Sequence, residues 1–433
     1  MTASKERYDA VVVGAGPSGS TAAYYLARAG LDVLLLERGP YPGSKNVGGT
    51  GLYTRPLHEM FPNFWQEAPV ERLTVDLQYW VLTGESAVAV SFKSRRFADA
   101  PYNRFSALRA RFDPWLAGRA AGEGAELVVS CKAEELVMQG DRVVGVRVCY
   151  PEEREFRAGV VILAEGVNAL LARKAGLVPR RHPAHFSLWA KEVLELPAST
   201  IEERFNLRPG EGVTIGLVGH PTAGLVGTAS LHTYKNAVGI NAGATVKDLQ
   251  AAGMSPHEFL ERIKQHPVVE GLLAGGVTRE YTAHLIPEGG YDALPQPYHG
   301  GVLLVGDAAG LVNGIQGLNL AMASGKFAAE AAVAARLKGD FSARGLELYW
   351  HLLNRSYVMH DLRANRRVPA FYAGHPHVFG LYPEILEEVA YRLSLVEPVP
   401  KRHKRGVIWK KVTRLQPLWK IVKDALDTLL VMR

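Results

Sequence analysis

The chain has 433 residues, 47% hydrophobic and 21% charged, which is enough apolar side chain for two or three packed domains and excludes disorder as the main state. Its formal charge of +7 is local: residues 401–433 hold ten Lys/Arg against Asp424 and Asp427, and the other 400 residues sum to −1, so nucleic-acid binding spread over the body gains no support. No run reaches the roughly 18 consecutive apolar residues of a spanning helix. Cys131 and Cys149 are too few for a disulfide scaffold, or for a four-cysteine iron–sulfur or zinc site within this chain.

In chain order, residues 8–13 read as a buried strand with no cleavable leader ahead of it. Gly14-Ala15-Gly16-Pro17-Ser18-Gly19 follows, then a helical pattern over 21–28 that Gly30 stops. Residues 31–36 form a second buried strand ending at Glu37, which completes a βαβ unit. Residues 112–121 read as a helix, 126–149 as a strand meander turning at Gly140-Asp141, and 160–163 as a strand broken by Ala164-Glu165-Gly166. Residues 301–305 are another buried strand, followed by Gly306-Asp307 and, from Gly317, a helix rich in small residues. The segments 76–104 and 176–284 lack βαβ alternation and look like an inserted, sheet-rich domain.

The first glycine cluster carries a specific chemistry. Gly14 allows the tight turn, Gly16 lets backbone N–H groups approach a pyrophosphate, and Gly19 lets the helix pack on the strand. The helix start at Pro17 and Ser18 attracts phosphate charge. Glu37, with Arg38 beside it, ends the second strand at about the distance expected of a ribose-binding acid. A carboxylate there favours an unphosphorylated adenosine ribose.

Gly306-Asp307, leading into Gly317-Leu318-Asn319, resembles the second fingerprint of flavoproteins with the glutathione-reductase-type FAD domain. In that resemblance the Asp binds the ribityl chain and the helix start faces the pyrimidine end of the flavin. Ala164-Glu165-Gly166 resembles a third flavoprotein motif, and Arg109 before Phe112-Asp113 matches an arginine near the pyrophosphate. FAD is the expected cofactor.

Over residues 8 to about 340 the chain resembles the electron-transfer-flavoprotein:quinone oxidoreductases, most of all their cluster-free FixC branch, which is related to geranylgeranyl reductases. The resemblance rests on Gly43-Ser44-Lys45-Asn46-Val47-Gly48-Gly49, on His266-Pro267 and Gly275-Gly276, and on the run from Ala283 through Pro287-Glu288-Gly289-Gly290-Tyr291 to Leu294-Pro295. Gly310-Leu311-Val312-Asn313 and Ala321-Met322-Ala323-Ser324-Gly325 complete it. Lys45, Asn46 and Gly49 would then lie in a loop passing near the flavin.

The implied fold class is α/β, α+β overall: a Rossmann-like FAD-binding domain (1–75, 105–175 and 285–345), a sheet-rich quinone domain (76–104 and 176–284) and a helical C-terminal region (346–433). The implied partners are an electron-transfer flavoprotein heterodimer, a separate ferredoxin-like iron–sulfur subunit and a membrane quinone. The implied place is the inner face of the cell membrane. No catalytic acid, base or nucleophile is demanded, because the flavin carries the redox chemistry. The sequence shows no metal-ligand cluster, and His284 reads either as a satisfied histidine or as a proton donor.

Residues 210–240, rich in Gly and aliphatics, suit either a slot for a prenylated ring or a plain sheet core. In the tail, Leu418, Val422, Leu426 and Leu429/Leu430 recur at helical spacing among lysines. That pattern suits a helix lying in an anionic bilayer interface, or one docked on protein. A prenyl reductase, a flavin monooxygenase-like enzyme and an FAD-binding scaffold remain open alternatives.

Overall fold

The strands of the first βαβ unit are built on the apolar runs Ala10-Val11-Val12-Val13 and Val33–Leu36, the composition of a parallel sheet buried on both faces. In the computed structural model, which describes residues 4–45, 49–150, 152–179, 182–314 and 316–431, those runs form such a sheet. The chain divides into two compact units, one of residues 1–71, 101–186 and 285–363, the other of 72–100, 187–284 and 364–433. The helical region expected as a separate 346–433 is apportioned between them: 346–363 joins the first unit and 364–433 the second.

In the first unit, five parallel strands run in the order Val302–Leu304, Arg154–Leu163, Arg7–Val13, Val33–Leu36, Glu126–Val128. Val11, Val12, Leu34, Leu35, Val160, Val161 and Leu303 are fully buried. The expected meander is present as Lys132–Gln139 and Arg142–Tyr150, which extend the sheet antiparallel. Two of the expected helices are longer than the sequence pattern, at Arg109–Gly122 and Leu318–Lys338. Cys131 is buried and Cys149 exposed, both as free thiols.

The second unit is built on a largely antiparallel sheet in the order Val277–Pro287, Phe186–Glu195, Ala237–Thr245, Gly227–Thr233, Glu211–Gly219, Val70–Leu82. Alternate residues Val213, Ile215 and Leu217, with Ala229, Leu231, Val238 and Ile240, face one core shared with Ile201, Phe259, Leu260 and Ile263 from short helices. The aliphatics of 210–240 are therefore sheet core. Arg72 is fully buried behind it. Its guanidinium pairs with Glu202 at 2.8 Å and donates to the carbonyls of Tyr234, Glu211 and Lys235, which satisfies the charge.

Candidate functional site

Segments far apart in sequence converge at the carboxyl ends of the parallel strands, the usual place for a ligand in an open α/β sheet. The amide of Gly14 donates to the carbonyl of Leu36 and that of Ala164 to Val13, both at 2.8 Å, and Val305 donates to Leu163 at 3.1 Å. Gly14 has φ +103°, and a Cβ there would stand 2.3 Å from the carbonyl oxygen of Ala164. A Cβ on Gly19 would lie 1.9 Å from the Gly14 carbonyl oxygen. A Cβ on Gly306 would lie 2.9 Å from Ser18 Oγ, and one on Gly325 only 2.2 Å from the Ser18 carbonyl oxygen. Bare backbone is thus required at these close approaches around the start of the first helix.

The cradle so formed presents unused hydrogen-bond donors. Neither the Pro17–Arg28 helix nor the Leu318–Lys338 helix has a side-chain cap on its N-cap residue, Gly16 or Gly317. Their first N–H groups are left for other acceptors. Among the described residues, only the Arg109 guanidinium comes within 4 Å of the Cβ position of Gly16, at 4.0 Å, and none comes that close to that of Gly317. Uncapped N-termini, an open glycine and a cation fit the pyrophosphate of a dinucleotide.

Charged groups ring the cradle. Arg109 makes a bidentate pair with buried Asp113, both contacts at 2.7 Å. Burial works against its charge, but Asp113 and then Asp307 outweigh burial and hold the guanidinium protonated. Glu37 is nearly buried at the end of Val33–Leu36, where its carboxylate accepts from the amides of Ala15 at 3.1 Å and Gly39 at 2.7 Å. Ala15 belongs to the phosphate loop, so this acid sits beside it. Asp307 opens the turn after Val302–Leu304, and Leu318 and Asn319 begin the following helix, Asn319 being buried.

Other expected residues are placed less centrally. Arg38 and Lys45 are exposed, Gly49 begins a buried-edged strand, Gly49–Tyr53, and Asn46 lies outside the described residues. The Glu165 carboxylate is occupied in capping its own chain: the amides of Leu171 and Ala172 donate to it at 2.8 and 3.1 Å. Burial nonetheless pushes its carboxyl above the ordinary carboxylate range. What Ala164 and Gly166 offer beside it is backbone.

Asp307 also lines a cleft together with Arg173, His182, His185, Gly290 and Leu294. No motif marks Arg173, His182 or His185 in the sequence beyond the paired histidines of His182-Pro183-Ala184-His185. Gly289, Gly290, Leu294 and Pro295 on this wall come from the family-like run after Ala283. In the second unit, buried His232 bridges Thr214 Oγ1 at 3.1 Å and Ser230 Oγ at 3.2 Å across neighbouring strands, and no sequence pattern marked it.

Fold and cradle together define an FAD-dependent oxidoreductase: residues 9–184 match the family described as FAD dependent oxidoreductase, and residues 368–433 match the ETF-QO/FixC family C-terminal domain. The chain is 39% identical to Protein FixC of Bradyrhizobium diazoefficiens over 426 residues, covering 97% of this chain and 98% of the relative. It is 37% identical over 428 residues to the "probable electron transfer flavoprotein-quinone oxidoreductase YdiS" of Escherichia coli, covering 98% of each. Among solved structures, a geranylgeranyl bacteriochlorophyll reductase-like protein from Thermoplasma acidophilum aligns with a TM-score of 0.73 at 22% identity, over 98% of this chain and 99% of that one, a likeness of fold. The protein belongs to the ETF-QO/FixC family of flavoproteins.

Proposed function

We propose that the protein receives electrons from an electron-transfer flavoprotein through a separate ferredoxin-like subunit and passes them to a quinone held in the membrane. The observation that carries this reading is end-to-end similarity to a relative named for electron transfer flavoprotein-quinone oxidoreduction. FAD, when bound, supplies the two-electron redox chemistry. The chain's own part is to hold and tune it. Backbone N–H groups after Gly16 and the charge of Arg109 take the pyrophosphate, Glu37 takes the adenosine ribose, and Asp307 takes the ribityl hydroxyls. The start of the Leu318–Lys338 helix stabilises negative charge on the ring through its partial positive end.

The membrane contact is assigned to 401–433. Leu418, Trp419, Val422, Leu426, Leu429 and Leu430 are 45–67% exposed on one face of the Leu418–Val431 helix. Seven of the tail's ten basic residues lie on the preceding Lys401–Leu415 helix. An exposed apolar face beside clustered positive charge suits an anionic lipid surface. Among the described residues no helix is long and apolar enough to cross a membrane, so the contact is an interfacial one.

The test is reconstitution of the full chain with reduced electron-transfer flavoprotein and ferredoxin, in vesicles carrying a long-tailed quinone. Flavin bleaching by the partners followed by quinone-dependent reoxidation is expected. Reoxidation by a prenyl double bond and not by quinone would overturn the reading in favour of a reductase of lipid chains.

A further inference from the structure

The sequence shows no metal-ligand pattern, yet the fold brings His375, from the turn after the Val368–Gly374 helix, against Asp424 and Asp427 of the last helix. We infer that His375 Nε2, Asp424 Oδ1 and Asp427 Oδ2 form a three-ligand site for a tetrahedral divalent transition cation of the Zn²⁺ type, which staples the C-terminal helix to the 368–394 region.

Geometry is the first support. Nε2 of His375 lies 3.4 Å from Asp427 Oδ2 and 3.7 Å from Asp424 Oδ1, and the three ligand atoms all fall within 4.8 Å of one another. Metal–ligand bonds of about 2.1 Å opening at about 110° produce ligand edges near 3.4 Å, whereas octahedral edges are shorter, about 3.0 Å.

The surrounding hydrogen bonds are the second, independent support. His375 Nδ1 lies 2.9 Å from the carbonyl of Phe371, an acceptor only, so that nitrogen carries the proton. In the neutral ring Nε2 is then a bare lone pair, and it faces two carboxylates. The Phe371 ring stacks on His375 with centroids 4.4 Å apart and fixes its plane. Asp424 is 5% exposed, and its other oxygen, Oδ2, is held by His377 Nε2 at 2.7 Å and by the Tyr382 hydroxyl at 2.6 Å. Backbone carbonyl behind the histidine and two donors behind the carboxylate are the outer partners that orient metal ligands. His375 and Asp427 are partly exposed, which leaves an entry path and a fourth position for water.

The experiment uses the full chain without a polyhistidine tag, stripped with chelator and titrated with Zn²⁺ in a calorimeter at neutral pH. One Zn²⁺ per chain is expected. Asp427→Asn and His375→Ala should remove that binding event. Tyr382→Phe should weaken it about tenfold, as loss of an outer partner does. Bound Zn²⁺ should also slow proteolysis between Leu418 and Val431 in the wild type and not in Asp427→Asn. FAD content and dye reduction should be unchanged in all variants, which reports folding and keeps this test separate from the proposed electron transfer. Absence of a stoichiometric event, or its persistence in Asp427→Asn, overturns the site and leaves His375 as a polar neighbour of the two carboxylates without a metal.

Discussion

Single residues decide whether the cofactor cradle closes. Asp307 faces Arg109 electrostatically across the cradle and is the acid assigned to the ribityl chain. Asp307→Ala should weaken FAD binding by about 1–3 kcal/mol, the range for a hydrogen bond to a charged group. Fluorescence titration of apoprotein with FAD measures this, and unchanged affinity would remove Asp307 from the site. A second residue, His220, links stability to pH. Burial holds its imidazole pKa below the ordinary 6.5, with Arg262 and then His266 adding to the effect. Arg262 Nη2 lies 3.3 Å from its Nδ1, so the fold keeps the ring neutral. The unfolded chain takes up a proton below about 6.5 while the native ring does not, so this contribution is intact above that pH and is lost as pH falls towards the lower native value. Urea midpoints of the wild type should therefore drop between about pH 7 and pH 5 more steeply than those of His220→Asn. Equal slopes would show that His220 does not drive the loss.

Among the elements, the last helix has two faces with different tasks. Asp424 and Thr428 lie towards protein, the Thr428 hydroxyl donating to the Asp424 carbonyl at 2.7 Å, while Trp419 and Leu426 point outward at 67% and 55% exposure. Trp419→Ser with Leu426→Ser changes only the outward face. Cosedimentation with anionic vesicles should fall several-fold, because apolar burial contributes about 25 cal/mol per Å². High salt should weaken the wild type only in part, since screening acts on the basic residues and not on the apolar face. Unaltered cosedimentation in the double variant would make this face a docking surface for protein.

For the molecule as a whole, the full-length match to FixC proteins and the two free thiols bear on where the electrons come from. Cys131 is buried and burial raises its thiol pKa, while Cys149 is exposed on a strand. The purified single chain should hold one non-covalent FAD and no acid-labile sulfide. On the function proposed above, electrons then enter from another subunit. Stoichiometric sulfide with iron in the isolated chain would sink that prediction, and a preparation that stays colourless after FAD addition would sink the cofactor assignment.

The candidate cradle, the place proposed for the cofactor, was legible in the sequence because its parts are local. Gly14, Gly16 and Gly19 sit within one βα turn, Glu37 ends the adjoining strand, and Gly306-Asp307 repeats the strand–turn–helix grammar. Each is a short-range demand of backbone on residue type. The order of these segments and the family-like run after Ala283 were likewise readable from sequence alone.

Other features were decided only by tertiary packing. That the Glu165 carboxylate accepts from the amides of Leu171 and Ala172 is set by how the Leu170–Lys174 helix packs beside it. The aliphatics of 210–240 became sheet core because alternate residues meet helices that lie on either side of the segment in the chain, at Ala198–Arg204 and Pro256–Lys264. His182 and His185 gained a cleft only when the segment around Pro287 folded beside them. His375 met Asp424 and Asp427 across about fifty residues, a separation with no periodicity to betray it. Motifs record what neighbouring backbone requires, whereas side chains that meet across separate helices are set by how those helices pack.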